Sequence, residues 1–333
     1  MKIECIKDKL KEAVGKVEKI TGKNLTLPIL SCILLEAKGG ELTIRATNLD
    51  LGIEITIPVK VEKEGRVAVP GNVLHGFVAS LYDEKNIKLE TDGGNLIVST
   101  PNTSTVIKSF AHEEFPTLPK VEGDKSFKVP AVDFVAGLES VWYSCATGSL
   151  KPELSSVYIY GEDDQIIFVA TDSFRLAEKR IKLKKIKDFS HILIPFKNIA
   201  DIIRILTDFQ GEVGIHIGKN QISFTHANIY LTSRIIDGVF PDYKQIIPKD
   251  TKTEAVILKY DLVSSLKVAN IFSDNFNQIN LKVYPGSKIF ELKTKNIDVG
   301  ENLNKIPAAL SGEDIDINFN YKYIFDCFQA IDT

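Results

Sequence analysis

Long apolar runs and clustered cysteines are both missing from this sequence. The four cysteines among its 333 residues lie far apart, and none forms a C-x-x-C pair. Cysteines so dispersed argue against a disulfide framework or a zinc site and are typical of proteins in a reducing compartment. No apolar run reaches the ~18 residues that a membrane span needs, and the start of the chain alternates charged with apolar residues, unlike a secretory signal. We therefore expect a cytoplasmic protein without bound metal and without membrane contact.

Catalytic motifs are also absent. There is no P-loop and no G-x-G-x-x-G segment, so we expect no cofactor. Asp163 and Asp164 are adjacent carboxylates, but they fall in a predicted turn, where acidic residues are common. Thr171, Asp172 and Ser173 could be catalytic groups, yet a nucleophilic Ser needs a base within hydrogen-bond reach and no His lies in this segment. The sequence predicts no catalytic residues and no enzyme; a hydrolase using Asp172 and Ser173 is the alternative.

The overall charge is weakly acidic, with 41 Lys and Arg against 44 Asp and Glu and a formal net charge of -3. Bulk charge therefore does not indicate a nucleic-acid ligand, and any DNA contact has to come from a local surface. Residues 6–24 form one such surface, where six lysines against three acidic residues leave a local excess of three positive charges. Because a lysine-rich helix face is usually only solvated, this charge by itself does not establish DNA binding.

A short strand pattern followed by a helix pattern occurs six times along the chain. The copies begin at residues 1, 66, 126, 191, 254 and 314, at intervals of 65, 60, 65, 63 and 60. A steady period of this length is the signature of duplicated supersecondary units. Alternating runs around the Gly-, Asp- and Asn-rich segments 39–40, 92–95 and 161–164 predict β-hairpins between the copies.

Pairs of these units define the predicted domains. The segments that begin at Phe115-Pro116 and at Phe240-Pro241 are rich in proline and charge, and each follows an even-numbered unit. We predict an α+β fold of three similar domains, each an internally duplicated strand-helix-hairpin unit, with boundaries 1–120, 126–248 and 253–333. The sixth unit stops at its helix, so the period predicts that roughly 35 to 45 further residues of strand belong to the complete protein.

Three segments carry a family resemblance: LPILSCILLEA at 27–37, ATDSFRLA at 170–177 and VFPDYKQIIP at 239–248. In order and spacing they resemble the bacterial DNA polymerase III beta subunit, the replicative sliding clamp, and the resemblance extends over the whole chain. It implies the DNA clamp fold, in which two chains pair head to tail into a homodimeric ring that encircles duplex DNA without sequence preference. The implied function is that of a processivity factor in DNA replication.

The resemblance also implies residues for three sites. The DNA-facing residues are Lys23, Asn24, Asn72, Thr147, Gly148, Lys151 and Lys197. A pocket for short peptide motifs of the replicative polymerase alpha subunit, the clamp loader, other polymerases and repair proteins comprises Leu154, Thr171, Ser173, Phe174, Arg175, Leu176, Pro241, Gln245 and Ile246. The dimer interface comprises Thr105 and Ile107 in the first domain with Ile271 and Phe272 in the third.

Some of these positions depart from the residues that are frequent in the family. Asn24 and Asn72 stand where an Arg is common, Phe174 replaces a His, Ser173 a Gly and Gln245 an Arg. We therefore expect weaker DNA contacts at the two asparagines and a pocket of different shape. The alternative function is a duplicated β-rich scaffold that binds peptides without encircling DNA, since only a clamp needs a ring and an inward basic face.

Overall fold

The computed structural model describes residues 1–22, 27–82, 84–121, 125–148, 150–183 and 189–331. Its helices are α1 Lys7–Glu18, α2 Gly71–Ser80, α3 Ala131–Glu139, α4 Phe196–Leu206, α5 Lys259–Ile271 and α6 Tyr321–Cys327. Its strands are β1 Lys2–Ile6, β2 Cys32–Lys38, β3 Glu41–Thr47, β4 Leu51–Pro58, β5 Lys60–Lys63, β6 Gly65–Pro70, β7 Asn86–Asp92, β8 Asn95–Ser99, β9 Ser104–Ile107, β10 Lys125–Pro130, β11 Ser156–Glu162, β12 Gln165–Thr171, β13 Leu176–Lys182, β14 Ile192–Pro195, β15 Glu212–Ile217, β16 Gln221–His226, β17 Ile229–Arg234, β18 Thr253–Ile257, β19 Gln278–Tyr284, β20 Ile289–Asn296, β21 Gly300–Lys305, β22 Ala308–Gly312 and β23 Ile315–Asn320.

Each of these helices directly follows a strand, which confirms the six predicted units. The pairs are β1 with α1, β6 with α2, β10 with α3, β14 with α4, β18 with α5 and β23 with α6. Pro70, Pro130 and Pro195 are the last strand residues before α2, α3 and α4. Proline has no N–H for the sheet ladder and its fixed φ is compatible with a helix start, so the strand ends there and the helix begins.

Helix α1 shows how the helices attach to the sheets. Leu10, Ala13, Val14 and Val17 recur at helical spacing, and all of them are buried. Burying one aliphatic side chain of this size contributes roughly 1.5–3 kcal/mol, so the apolar stripe holds the helix in place. Four of the six lysines that the sequence singled out lie on α1, at positions 7, 9, 11 and 16.

The chain forms two compact units. The first comprises Met1–Val135, Tyr158–Ile167 and Arg180–Asp237, and the second comprises Ala136–Val157, Phe168–Lys179 and Gly238–Thr333. The first unit contains a five-stranded sheet of order β5-β1-β7-β8-β9 and an eight-stranded sheet of order β10-β15-β16-β17-β4-β3-β2-β6. In the eight-stranded sheet β4 and β17 are antiparallel, with Ile53 opposite Leu231. This pairing joins strands from the first and second predicted domains into one sheet.

The second unit contains the strands of the third predicted domain. Its sheets have the orders β18-β22 and β21-β20-β19-β23. Its buried core cluster is formed by Leu266, Ala269, Ile279, Val283, Phe290, Leu292 and Ile306. Two of these side chains come from α5 and four from β19 and β20, so α5 packs against one face of the sheet.

The predicted hairpin turns are confirmed. Gly39 and Gly40 join β2 to β3 with φ of 59° and 85°, values that glycine adopts without strain. Asp163 and Asp164 join β11 to β12, with φ of 54° at Asp163. The two aspartates therefore form a turn, as the sequence predicted, and the α+β fold class is confirmed as well.

Candidate functional site

The segment Thr171-Asp172-Ser173 forms a tight turn between β12 and β13. The Thr171 hydroxyl donates to the Arg175 carbonyl at 2.7 Å, and the Asp172 Oδ1 accepts the Phe174 and Arg175 backbone N–H groups, each at 2.9 Å. Ser173 has a φ of 75°. Short polar side chains that bond to backbone groups two or three residues away are the usual way to stabilise such a turn. Asp172 is thus a structural residue of the turn.

The turn presents one large apolar side chain to solvent. Phe174 is 82% exposed, whereas Leu154 and Thr171 are buried and Leu176 is half-buried. Large apolar and aromatic side chains commonly line ligand sites. The predicted pocket residues therefore range from buried to exposed.

The segment that follows Pro241 supplies another part of the predicted pocket. Tyr243–Ile246 forms a short 3-10 helix on which Gln245 and Ile246 are exposed. Tyr243 is buried, and its hydroxyl donates to the carboxylate of Glu178 on β13. This bond connects the segment to β13, the strand that begins at Leu176. All nine predicted pocket residues lie in the second unit.

Arg175 lies within a charge cluster that the sequence did not reveal. Its Nε donates to Asp172 Oδ2 at 3.1 Å, and its Nη1 donates to Asp326 Oδ2 of α6 at 2.6 Å. The guanidinium carbon lies 4.7 Å from the ring centre of Tyr323 and 5.7 Å from that of Tyr143. Asp326 is 151 positions away in the chain, so no local sequence signal could have identified this partner.

Burial disfavours the charged forms of three titratable side chains in this region. Burial raises the pKa of the Tyr143 phenol above its ordinary value. Burial likewise raises the pKa of the Cys145 thiol to about 12, and it raises the pKa of the Cys327 thiol. The ion pairs of the cluster are those of Arg175 with Asp172 and with Asp326.

The predicted DNA-facing residues have different environments. Lys23 and Asn24 lie outside the described residues. Asn72 is exposed in the first turn of α2, and Thr147, Gly148 and Lys151 are exposed on the loop before β11. Lys197 is exposed at the start of α4, but its Nζ lies 2.6 Å from Asp50 Oδ2. Since an exposed ion pair contributes only about 0–1 kcal/mol, this lysine can exchange partners at little cost.

The predicted dimer residues require a correction. Strand β9 is an edge of its sheet, but Ile107 is only 3% exposed, so its side chain packs into the core of its own domain. Val106, which the sequence interpretation missed, is 58% exposed on the opposite face of the strand. The alternation of side chains along a strand explains the difference, because neighbouring residues point to opposite faces. At the end of α5, Ile271 is exposed and Phe272 is half-buried.

The described part of the chain holds no group of three or more His, Cys, Asp or Glu side chains arranged to bind a metal ion. Within the same residues, every helix is too short or too polar to cross a membrane.

Comparisons with known proteins agree with the duplicated architecture. The N-terminal, central and C-terminal domain models of the DNA polymerase III beta subunit match residues 1–119, 128–242 and 244–333. A beta sliding clamp from Synechococcus elongatus is 25% identical over 341 residues, covering 100% of this chain and 91% of the relative. The DNA polymerase III beta subunit of Thermotoga maritima has a TM-score of 0.92 at 26% identity, covering 100% of this chain and 90% of that structure. The sliding clamp of Bacillus subtilis has a TM-score of 0.93 at 25% identity, with coverage of 100% and 90%.

The fold thus defines a protein of three similar α+β domains of the DNA clamp type. The chain belongs to the DNA polymerase III beta subunit family, as its sequence resemblance indicated.

Proposed function

We propose that this chain is a sliding clamp, a processivity factor that encircles duplex DNA and tethers the replicative polymerase and other proteins through a peptide pocket. The match of three consecutive family domains over residues 1–119, 128–242 and 244–333 carries this proposal. The protein acts in the cytoplasm by binding rather than by catalysis, and its domains span residues 1–120, 126–248 and 253–333.

The junction of β4 and β17 supports ring closure by a second copy. In the repeated units β17 is the third strand after α4, and β9 is the third strand after α2. Likewise β4 is the third strand after α1, and β21 is the third strand after α5. Strands β4 and β17 pair within the chain, whereas β9 and β21 each lie at one edge of their sheets. Because unpaired edges need partners, β9 of one chain is expected to pair with β21 of another, and two such contacts close a ring.

Apolar side chains near these two edges fit that interface. Val106 on β9 and Leu303 on β21 are both exposed, and Ile271 is exposed at the end of α5. Phe272 follows Ile271, and its ring lies next to Gly300 at the start of β21. We expect the double substitution Ile271→Ala with Phe272→Ala to shift the protein from dimer to monomer, as measured by sedimentation.

A matched control for the interface is Ile107→Val. This change removes one methyl group from a side chain that packs inside its own domain and is expected to leave the dimer intact. If the double variant still sediments as a dimer while folded, Ile271 and Phe272 are not the main contact.

The proposed DNA contact is loose. Helix α1 carries four lysines against three acidic residues, and α3 carries Asp133 and Glu139 without a basic residue. A surface so nearly neutral forms few tight phosphate contacts, and loose, sequence-blind contact allows the duplex to move through the ring. The tether is topological, so strong binding is unnecessary.

Retention on circular DNA tests the ring. The protein is loaded on nicked circular DNA with a cognate clamp loader, and the same DNA is then linearised at raised salt. We expect retention on circles and rapid loss from linear ends. Equal loss from both forms would favour a peptide-binding scaffold that does not encircle DNA.

A further inference from the structure

The segment 112–120, at the end of the first predicted domain, crosses one face of the eight-stranded sheet. A cavity of about 410 Å³ lies between this segment and strands β2, β3, β4 and β6. We propose that this cavity binds a small organic anion, a carboxylate carried on a compact apolar body. The cavity lies in the first unit and shares no residue with the predicted peptide, DNA or dimer sites, so the inference goes beyond the proposed clamp function.

A row of alternating charges borders the cavity. At its centre, Arg45 Nη1 donates to Glu36 Oε2 at 2.7 Å and Arg45 Nε donates to Glu54 Oε2 at 2.6 Å. At one end, Arg66 Nε donates to Glu36 Oε1 at 2.7 Å. At the other end, Lys120 Nζ donates to Glu54 Oε1 at 2.8 Å. The row therefore begins and ends with a cation.

The two carboxylates of this row are fully engaged. The side chains of Glu36 and Glu54 are 14% and 16% exposed, and each is paired with two cations. Burial would raise the pKa of both carboxyls, but hydrogen bonds from the cations outweigh it and lower both pKa values. Both groups are thus held as anions, and their oxygens already have partners.

The cations at the ends of the row keep donors for a ligand. Arg66 and Lys120 are 57% and 56% exposed, and among the described residues each is paired with one carboxylate. A guanidinium has five N–H donors and an ammonium group has three, so neither is exhausted by a single partner. An arginine can also bind a carboxylate through two parallel hydrogen bonds.

The charge balance of the row favours an anion. Three cations and two carboxylates leave a formal excess of one positive charge. Glu113 also lines the cavity, but its side chain is 72% exposed and lies 3.4 Å from His112, so water screens its charge. A ligand with one carboxylate would balance the row, whereas a cationic ligand would meet Arg66 and Lys120.

Apolar side chains supply the rest of the lining. Leu34, Phe115, Pro116 and Leu118 border the cavity, and all of them except Pro116 are buried. An apolar ligand body packed against them would be removed from water, which favours binding. Since small-molecule pockets usually measure about 300–1,000 Å³, the cavity suits a ligand at the small end of the range.

Titration calorimetry on the full chain tests this inference with two matched probes, indoleacetate and its neutral analogue indoleacetamide. We expect the carboxylate to bind about fivefold more tightly, the effect of one partly exposed charge pair. The difference should fall to about twofold or less when salt is raised, because the end cations are exposed. Acetate, which lacks the apolar body, should bind at least about tenfold more weakly than indoleacetate.

Four substitutions locate the site. Lys120→Gln and Arg66→Gln each remove the excess charge, and each should reduce the preference for the carboxylate to about twofold or less. Glu113→Gln should strengthen carboxylate binding by up to about twofold, since it removes an opposing charge. Lys60→Gln is the matched control, because Lys60 is an exposed lysine on β5 that does not line the cavity. It should leave both affinities unchanged.

The urea denaturation midpoint of each variant shows whether it is folded. Equal binding of the two probes by the unaltered chain, or binding of neither, would overturn the proposed site. So would an unchanged preference in folded Lys120→Gln and Arg66→Gln, because the probe would then bind elsewhere. Retention on circular DNA enters none of these outcomes, so the site and the clamp function can fail independently.

Discussion

The turn at residues 47–51 in the first unit and the turn at residues 171–175 in the second have the same hydrogen bonds but different surroundings. The Thr47 hydroxyl donates to the Leu51 carbonyl at 2.7 Å, as that of Thr171 does to Arg175. Asn48 accepts two backbone N–H groups in the same way as Asp172. The third residue is Leu49 in one turn and Ser173 in the other, with φ of 76° and 75°. The two turns are thus one duplicated feature.

The residue after each turn makes the difference. Leu176 follows the second turn and is half-buried, whereas Gly52 follows the first. A Cβ on Gly52 would overlap the side chain of Leu118, which occupies this place in the first unit. In the first unit, Leu118 of the segment that begins at Phe115 therefore occupies the space beside the turn. In the second unit, Phe174 of the turn is exposed.

The partners of the two turns differ in charge as well. Asp50 in the first turn pairs with Lys197 of α4, which is the second helix of the second predicted domain. Arg175 in the second turn pairs with Asp326 of α6. A duplicated backbone turn can therefore have different charged partners and different surroundings, depending on the side chains that pack against it.

Placing a side chain at Gly52 should have the largest effect. Gly52→Leu copies Leu176 into the first unit, where Leu118 and Thr232 already occupy the space. We expect a loss of about 3 kcal/mol of unfolding free energy, the upper range for overpacking, measured by urea denaturation of the full chain. The double variant Gly52→Leu with Leu118→Ala should recover part of this loss. An unchanged denaturation midpoint for Gly52→Leu would show that the two copies are equally open.

Truncating the linker side chain should have the next largest effect. Leu118 is buried, so Leu118→Ala should cost about 2–3 kcal/mol and leave peptide binding unchanged. The matched change Ile246→Ala removes an exposed side chain of the second unit and should cost less than about 0.5 kcal/mol. It should nevertheless weaken binding of an apolar peptide. The same stability loss for both variants would contradict the proposed contrast between a filled copy and an open one.

Acid should lower the unfolding free energy through Glu54, which follows the first turn. We expect this effect to be smaller than those of the substitutions at Gly52 and Leu118. Glu54 on β4 and Glu178 on β13 occupy equivalent positions, but Glu54 binds Arg45 and Lys120, whereas Glu178 accepts the Tyr243 hydroxyl. Burial alone would raise the pKa of Glu54, but hydrogen bonds from Lys120 and Arg45 outweigh it and lower the pKa below 4.5. A lowered pKa in the folded state gives stability that is present above pH 4.5 and is lost as pH falls through the folded value.

Denaturation at a series of pH values checks this prediction. The unaltered chain should lose unfolding free energy below pH 4.5, and Glu54→Gln should lose less over the same range because its side chain does not titrate. Glu178→Gln serves as the control, since an amide oxygen still accepts the Tyr243 hydroxyl. An identical acid response in the unaltered chain and Glu54→Gln would show that Glu54 contributes nothing to it.

Features of this protein that depend on neighbouring residues could be predicted from the sequence alone. The six strand-helix units, the glycine and aspartate hairpin turns and the family resemblance were all readable from period, composition and short motifs. The turn at residues 171–175 is also local, because all its hydrogen bonds lie within five residues.

Only the tertiary contacts show which side chains surround each copy of the duplicated turn. Leu118 packs on Gly52 and Asp326 binds Arg175 across long stretches of chain, and no local pattern encodes either contact. The pattern of β9 was equally ambiguous, because alternation separates Val106 from Ile107 without showing which of them is buried. Packing against distant segments resolves such ambiguities, since burial depends on what covers a face and not on the face alone.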